Sequence, residues 1–381
     1  MKEPQTILET YRRLEADGDS AVLATVVDVK GSSYRLPGAR MLIDETGRSV
    51  GTISGGCLEA DVLTRAKQVL KTGKPTVITY DTTQTEDSVF GLGMGCRGVI
   101  RVLLETAKAN KSLDFLRECF EQRKPGAMAT LIDASADFQL STGAKFFFRA
   151  LPDDFGFRIS DFGFTIGNLK RENWFQKLKD DLAQISAVEQ PINPNGVKIY
   201  ETETGAIEFF LETVAPPVLL LLFGAGFDAL PVVSFAKNLG WRVVVVDHRA
   251  AWANSERIPD ADEIVVARAE DLDAKMFEDD GSVAVLMTHN YERDREILRR
   301  LLNSTVKYIG ALGPKTRTEK LLAEIGGKFD AHQLKKLHAP VGLDIGAETP
   351  EEIALAVLAE IQSVLTNRSG GFLRERNGGI H

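Results

Sequence analysis

Residues 218–249 read VLLLLFGAGFDALPVVSFAKNLGWRVVVVDHR. An uninterrupted apolar run is followed by a glycine turn, a helical stretch, a second apolar run and an acidic residue, which is the strand–turn–helix–strand order of a dinucleotide-type Rossmann unit. Gly224 permits the tight turn, Gly226 lets backbone approach a pyrophosphate, and Ala229 keeps the helix close to the sheet. Asp247 then stands where it would meet a ribose hydroxyl, or else it caps the end of its strand.

Downstream the alternation continues: EIVVA at 263–267, a helix near 270–278, SVAVLMT at 282–288, a helix through YERDREILRRLLN, and KYIGALG at 307–313. This pattern predicts a mostly parallel sheet. Ligands of such sheets gather at the carboxyl ends of the strands, so Asp247, Thr288, His289 and the loop from Gly310 to Lys315 are expected on one rim. His289 can donate, accept or ligate, with Asp294 as its expected partner and both as possible catalytic groups, although a structural hydrogen bond explains a histidine there equally well. Lys315 begins a helix whose free amides favour anions, or it is an exposed basic turn. Thr349, Pro350 and Glu352 are an N-cap, a first-turn proline and a capping-box acid, a purely structural signature. The preceding PVGLDIGAE at 340–348 is expected to be a strand returning to the sheet.

Upstream, Pro191, Pro194, Pro216 and Pro217 disfavour continuous helix and suggest a domain boundary near 213–217. The expected organisation is an N-terminal α/β domain over 1–212 and a C-terminal Rossmann-like domain over 213–381. The first hundred residues alternate AVLATVVDV (21–29), ARMLID (39–44), a helix from about Cys57, TVITY (76–80) and GVIRVLL (98–104). Residues 106–212 carry a helix near 111–122, the strand AMATLID and an aromatic stretch whose Phe residues read as packing. No function attaches to that middle region.

Composition narrows the function classes. With 381 residues, 44% hydrophobic and 26% charged, the chain is of ordinary globular make-up and suits two or three domains. Its net charge of −8 argues against a nucleic-acid footprint. The N-terminus lacks the apolar core of a signal peptide, and Ile7, Leu8, Tyr11 and Leu14 fall on one face of a docking helix. The longest aliphatic run is too short to span a bilayer. Three cysteines, an odd number in so long a chain, suit reduced thiols in the cytoplasm.

Two loops rich in small residues are the first places to look for chemistry: GTISGGCLE at 51–59 and FGLGMGCRG at 90–98. Backbone at Gly55 and Gly56 is open to close approach, and Cys57 lies near a helix start where a thiolate is favoured. Cys96 has Arg97 beside it to stabilise negative charge. Either cysteine can instead be a small buried hydrophobe, which is the reading for Cys119. Arg35 and Arg40 flank the PGA turn, where they can bind phosphate or form a solvated basic loop. No hydrolase elbow and no CxxC or HExxH metal pattern occurs.

Taken together, GSSYRLPGARMLI, GTISGGCLEADVL, GMGCRG, FGAG, MTHNYERD, YIGALGPKTR and HAPVGLDIGAETPEEIALAVLAEI closely resemble the XdhC/CoxF family of xanthine and carbon monoxide dehydrogenase maturation factors. The likeness is specific over roughly 20–105 and 216–381. It implies a cytoplasmic chaperone that binds the molybdenum cofactor and aids its sulfuration and insertion into a molybdenum hydroxylase client, with a cysteine desulfurase as a further partner. Molybdopterin offers a phosphate, a polar fused ring and a dithiolene-bound metal, which makes Cys57 the first and Cys96 the second candidate molybdenum ligand. Two departures stand out: many relatives carry His after GAG where this chain has Phe227, and Arg97 replaces a frequent glycine. The alternatives are an NAD(P)-dependent oxidoreductase with His289 as proton donor, and a nucleotide-sensing interaction protein. A homodimer is the default expectation for such a chain.

Overall fold

The computed structural model describes residues 2–81, 83, 98–134, 138, 140–150, 155–160, 172–187, 195–203, 205–326 and 329–377. Two compact units change over at Pro216 and Pro217 in the chain.

Among the described residues the N-terminal unit is built on two five-stranded sheets. Strands β1 (Ala21–Gly31), β2 (Arg40–Asp44), β3 (Ser49–Gly51), β4 (Thr76–Asp81) and β5 (Gly98–Thr106) form the first, in the order β3-β2-β1-β5-β4. The second comprises β6 (Gly126–Ala134), β7 (Lys145–Ala150), β8 (Phe155–Ser160), β9 (Gly196–Thr202) and β10 (Gly205–Val214), ordered β8-β7-β6-β10-β9. Every pairing in both is antiparallel. Strands and helices do alternate here, yet the helices cover sheet faces instead of linking parallel strands.

Helix α1 (Lys2–Asp17) buries Ile7, Leu8, Tyr11 and Leu14, the face expected from their spacing. Helix α2 (Glu59–Thr72) buries Val62, Ala66 and Val69 against one face of the first sheet. Helix α3 (Lys111–Glu121) starts at Asn110, whose side chain accepts from the amides of Ser112 and Leu113. Helix α4 (Asn173–Ala187) packs Trp174, Phe175, Leu178 and Leu182 on the second sheet. Val27 and Leu103 of the first sheet meet Ile132 and Phe210 of the second.

The C-terminal unit is a six-stranded parallel sheet. Its strands are β11 (Leu219–Phe223), β12 (Arg242–Asp247), β13 (Glu263–Val266), β14 (Ser282–Leu286), β15 (Tyr308–Ala311) and β16 (Leu337–His338), in the order β13-β12-β11-β14-β15-β16. That is the doubly wound Rossmann order, with its switch point between β11 and β14. All of β11 is buried because apolar groups cover both faces. Leu220 and Leu222 meet α5 (Ala229–Asn238) and a long C-terminal helix, whereas Leu219, Leu221 and Phe223 meet α6 (Tyr291–Leu302). Helices α7 (Lys315–Ile325), α8 (Ala331–Lys335) and α9 (Pro350–Leu365) complete the unit. The last has the expected Thr349–Glu352 capping box.

Two local expectations are corrected. Residues 270–278 form two 3-10 turns, Ala269–Asp271 and Ala274–Phe277, because the Asp273 carboxylate accepts from the Lys275 amide and starts a new turn there. Residues 340–348 are not a strand: sheet pairing ends at His338, Pro340 has no N–H to offer, and the Gly342 amide donates to Glu360 of α9. Glu360 also takes the Tyr308 hydroxyl at 2.5 Å and lies 3.2 Å from His338 Nδ1, pinning the last strands to that helix.

Candidate functional site

The glycine loop of the N-terminal unit is ordered from within. Glu59, the first residue of α2, accepts from the Ser54 amide at 2.9 Å, the Ser54 hydroxyl and the Leu58 amide at 3.2 Å. Ser54 Oγ in turn accepts from the amides of Gly56 and Leu58. Burial alone would raise the Glu59 pKa, but these hydrogen bonds prevail and hold it below the usual glutamate value. Ile53 and Ser54 are buried as anchors, whereas Gly55, Gly56 and Cys57 are exposed. The Tyr34 ring, 66% exposed, lies over Gly55, where an added Cβ would sit 3.6 Å from the ring. The loop thus offers an exposed thiol at Cys57, bare backbone at Gly55 and Gly56, and an aromatic plane over Gly55, residue types that suit a thiolate-seeking metal on a planar ring.

Of the other sequence candidates in this unit, Arg40 is corrected. Its guanidinium is buried, 2.5 Å from the buried Glu212 carboxylate, and donates to the Gly38 carbonyl, so its charge is engaged in joining the two sheets. The apolar neighbours of its strand carry it inward, which the composition of the PGA turn did not reveal. Arg35 pairs with Glu3 at 2.5 Å. Cys119 is fully buried on α3, and burial pushes its thiol up to about 12, so it stays protonated and packs as expected. Cys96 and Arg97 lie outside the described residues.

On the Rossmann rim, Gly224 (φ 118°) sits against β14: a Cβ there would lie 2.3 Å from the Met287 carbonyl oxygen. At Gly226 a Cβ would lie 2.5 Å from an Asp228 carboxylate oxygen. A negative charge therefore stands at the glycine turn, where a pyrophosphate would be repelled. Asp228 is held by His289, whose Nε2 is 2.7 Å away. His289 has a left-handed backbone (φ 54°), uncommon outside glycine, and an exposed ring. The expected His289–Asp294 pair is corrected. The left-handed turn sends the imidazole toward Asp228, and the buried Asp294 instead accepts from Thr288 Oγ1 at 2.6 Å and pairs with Arg317 at 2.7 Å. Lys315 opens α7, is exposed, and makes no ion pair to a described residue.

Asp247 behaves as a structural acid. One oxygen accepts from the Ala225 amide at 2.9 Å and from Arg249 Nη2 at 2.6 Å; the other accepts from the Arg249 amide and Nε, each at 3.0 Å. Burial opposes ionisation, yet the Arg249 side chain and the two amides lower the pKa to about 2. The stabilisation is complete above the unfolded aspartate value near 4 and disappears as pH falls through about 2. Asp247→Asn is expected to lower unfolding free energy by about 2 kcal/mol at pH 7. In urea titrations the gap to wild type should narrow between about pH 4 and 2; a gap independent of pH would contradict this role.

Beyond Asp247 the rim carries a group that sequence reading passed over. Trp252 packs edge-on against Phe227, with centroids 5.3 Å apart; the Arg249 guanidinium lies 4.9 Å from Trp252, and that of Arg257 lies 4.5 Å from Trp252 and 4.9 Å from Phe227. The signal that could have found it was an aromatic residue interleaved with basic ones just after the second strand. Among the described residues no three His, Cys, Asp or Glu side chains form a metal-holding group, and no helix is long and apolar enough to cross a membrane.

These features define a two-unit protein whose Rossmann half follows an N-terminal unit bearing an exposed cysteine loop. Family models described as "XdhC Rossmann domain" and "XdhC and CoxI family" match residues 220–361 and 14–81. The chain is 33% identical over 347 residues, 91% of its length and 93% of the relative's, to a Bacillus subtilis protein described as a probable xanthine dehydrogenase subunit. It is 24% identical over 364 residues, 94% of its length and 88% of the relative's, to the molybdenum cofactor insertion chaperone PaoD of Escherichia coli. A crystal structure of a xanthine dehydrogenase from Bacillus halodurans is similar with a TM-score of 0.72 at 31% identity, covering 95% of this chain and 96% of that one. The chain belongs to the XdhC and CoxI family. The resemblance drawn from its motifs is borne out.

Proposed function

We propose that this chain is a chaperone that binds the molybdenum cofactor and assists its sulfuration and insertion into a xanthine dehydrogenase-type or carbon monoxide dehydrogenase-type hydroxylase. The observation that carries this reading is the exposed Cys57 on a loop pre-ordered by Ser54 and Glu59, whose Gly55 lies against the open Tyr34 ring. The similarity to PaoD supports it. When bound, the cofactor supplies the molybdenum centre destined for the client. Cys57 offers the soft ligand, Tyr34 the stacking plane, and the glycines the room for a bulky ring. Order within the loop lowers the entropy lost on binding. A reducing cytoplasm would keep Cys57 available as a thiol.

The oxidoreductase reading has less to stand on. Both Asp247 oxygens are engaged with Ala225 and Arg249, and Asp228 faces the place a pyrophosphate would take.

The test is cofactor retention by freshly purified protein, measured as molybdenum by mass spectrometry and as pterin by fluorescence after oxidation. Cys57→Ser is expected to lower retention on the order of tenfold, the size of effect seen when a metal's supporting group is lost. Cys119→Ser should retain cofactor as wild type does. Equal retention by a folded Cys57→Ser protein would remove the thiol from the site.

A further inference from the structure

We propose that the Rossmann unit has a second site, on the rim beyond β11 and β12, for a planar heteroaromatic ligand carrying a phosphate. Phe227 stacks on the ring and Arg257 takes the anion. The shared chemistry is that of a nucleotide or a pterin phosphate.

Three observations converge on it. Phe227 immediately follows the glycine turn and leaves 67% of its surface in water, although it is a large apolar group with Trp252 beside it. The Arg257 guanidinium lies against both rings, and among the described residues its Nε and Nη2, though shut off from solvent, have no hydrogen-bond partner. Enclosed charged donors left unpaired are costly, and a planar fork of this kind matches the oxygens of a phosphate. Finally, the usual anion position at the glycine turn is closed by Asp228, while Asp247 holds Arg249 in place, so Arg257 brings donors left unpaired among the described residues to this aromatic cluster.

In the liganded form the Phe227 ring turns onto the ligand's heteroaromatic face and uncovers the two Arg257 donors. Aromatic stacking of this kind accepts any base, so affinity rests on the ring plane and the phosphate together. Arg249, stacked on Trp252 at 4.9 Å and bound to Asp247, keeps the platform in position.

The site lies in the Rossmann unit and stands independently of the Cys57 loop. The test is calorimetric titration of the full chain with ADP, NADP+, neopterin phosphate and inorganic phosphate, with tryptophan fluorescence as a second readout. Wild type is expected to bind at least one heteroaromatic phosphate more tightly than phosphate alone. Binding by ADP or NADP+ but not neopterin phosphate assigns the site to nucleotides, and the reverse assigns it to pterins. Phe227→Ala and Arg257→Gln should each weaken binding about tenfold, while Arg242→Gln, an exposed arginine at the opposite end of β12, leaves it unchanged. The proposal is overturned if wild type binds none of the heteroaromatic phosphates at millimolar concentration, or if the first two variants, with unaltered melting temperatures, bind as tightly as wild type.

Discussion

Gly224→Ala is expected to destabilise the Rossmann unit by about 4 kcal/mol, the sum of a left-handed backbone strain of roughly 1–3 kcal/mol and an overpacking cost of similar size. Two constraints act together. The backbone at Gly224 has φ 118°, which an L side chain rarely adopts, and the methyl group would stand 2.3 Å from the Met287 carbonyl oxygen and 3.0 Å from the Thr288 amide nitrogen. Neither neighbour can yield easily. The Met287 amide donates to the Phe223 carbonyl at 2.7 Å, and the Gly224 amide donates to Val246 at 2.8 Å, so both ends of the turn are tied to the central strands. Relief would require β11 and β14 to part at the switch point. For a unit of this size the melting temperature should fall by roughly 10 °C. Calorimetry of the variant showing a change under about 2 °C would mean the turn relaxes freely, and its glycine would then need a ligand-based explanation.

The second large effect concerns the N-terminal unit. Arg40 on β2 and Glu212 on β10 form a buried pair at 2.5 Å between the two sheets, with the Arg40 Nε left without a partner among the described residues. Glu212→Leu strands the guanidinium without its counter-charge and is expected to cost about 3–5 kcal/mol. Adding Arg40→Met should recover most of that loss, because apolar groups of similar volume commonly replace a buried ion pair at little cost. Urea denaturation of both single variants and the double variant measures the coupling directly. If the double variant is as unstable as Glu212→Leu alone, the loss comes from packing around Glu212, not from an orphaned charge. The same experiment separates the structural role of Arg40 from phosphate binding, since a surface phosphate ligand would be lost with no comparable fall in stability.

Much of the C-terminal unit was legible because its determinants are local. The unbroken run at 219–223 belongs to a strand covered on both faces, the glycine turn needs a conformation few residues adopt, and the Thr349–Glu352 box closes within one helical turn. The middle of the N-terminal unit was opaque for an equally physical reason. Phe146, Phe147 and Phe148 are all buried, the first and third under α4 and the second with the α1 and α3 group, so the period-two signal of a half-exposed strand is erased. The sequence also contained no sign that β6 pairs with β10, a partner far along the chain, because such pairing is set by long-range contacts.

By itself, then, the sequence determined the Rossmann order of elements, the Thr349 capping box, the place of the glycine–cysteine loop and the family, because each rests on neighbours within a few turns or on motifs in the chain. Only the tertiary structure decided the partners of charged groups. Arg40 meets Glu212, Asp294 meets Arg317, His289 meets Asp228, and Arg257 is enclosed by Phe227 and Trp252. Whether a cation is free to hold a ligand depends on which carboxylate the fold brings to it. That choice is made by long-range packing, on which residue spacing has no hold.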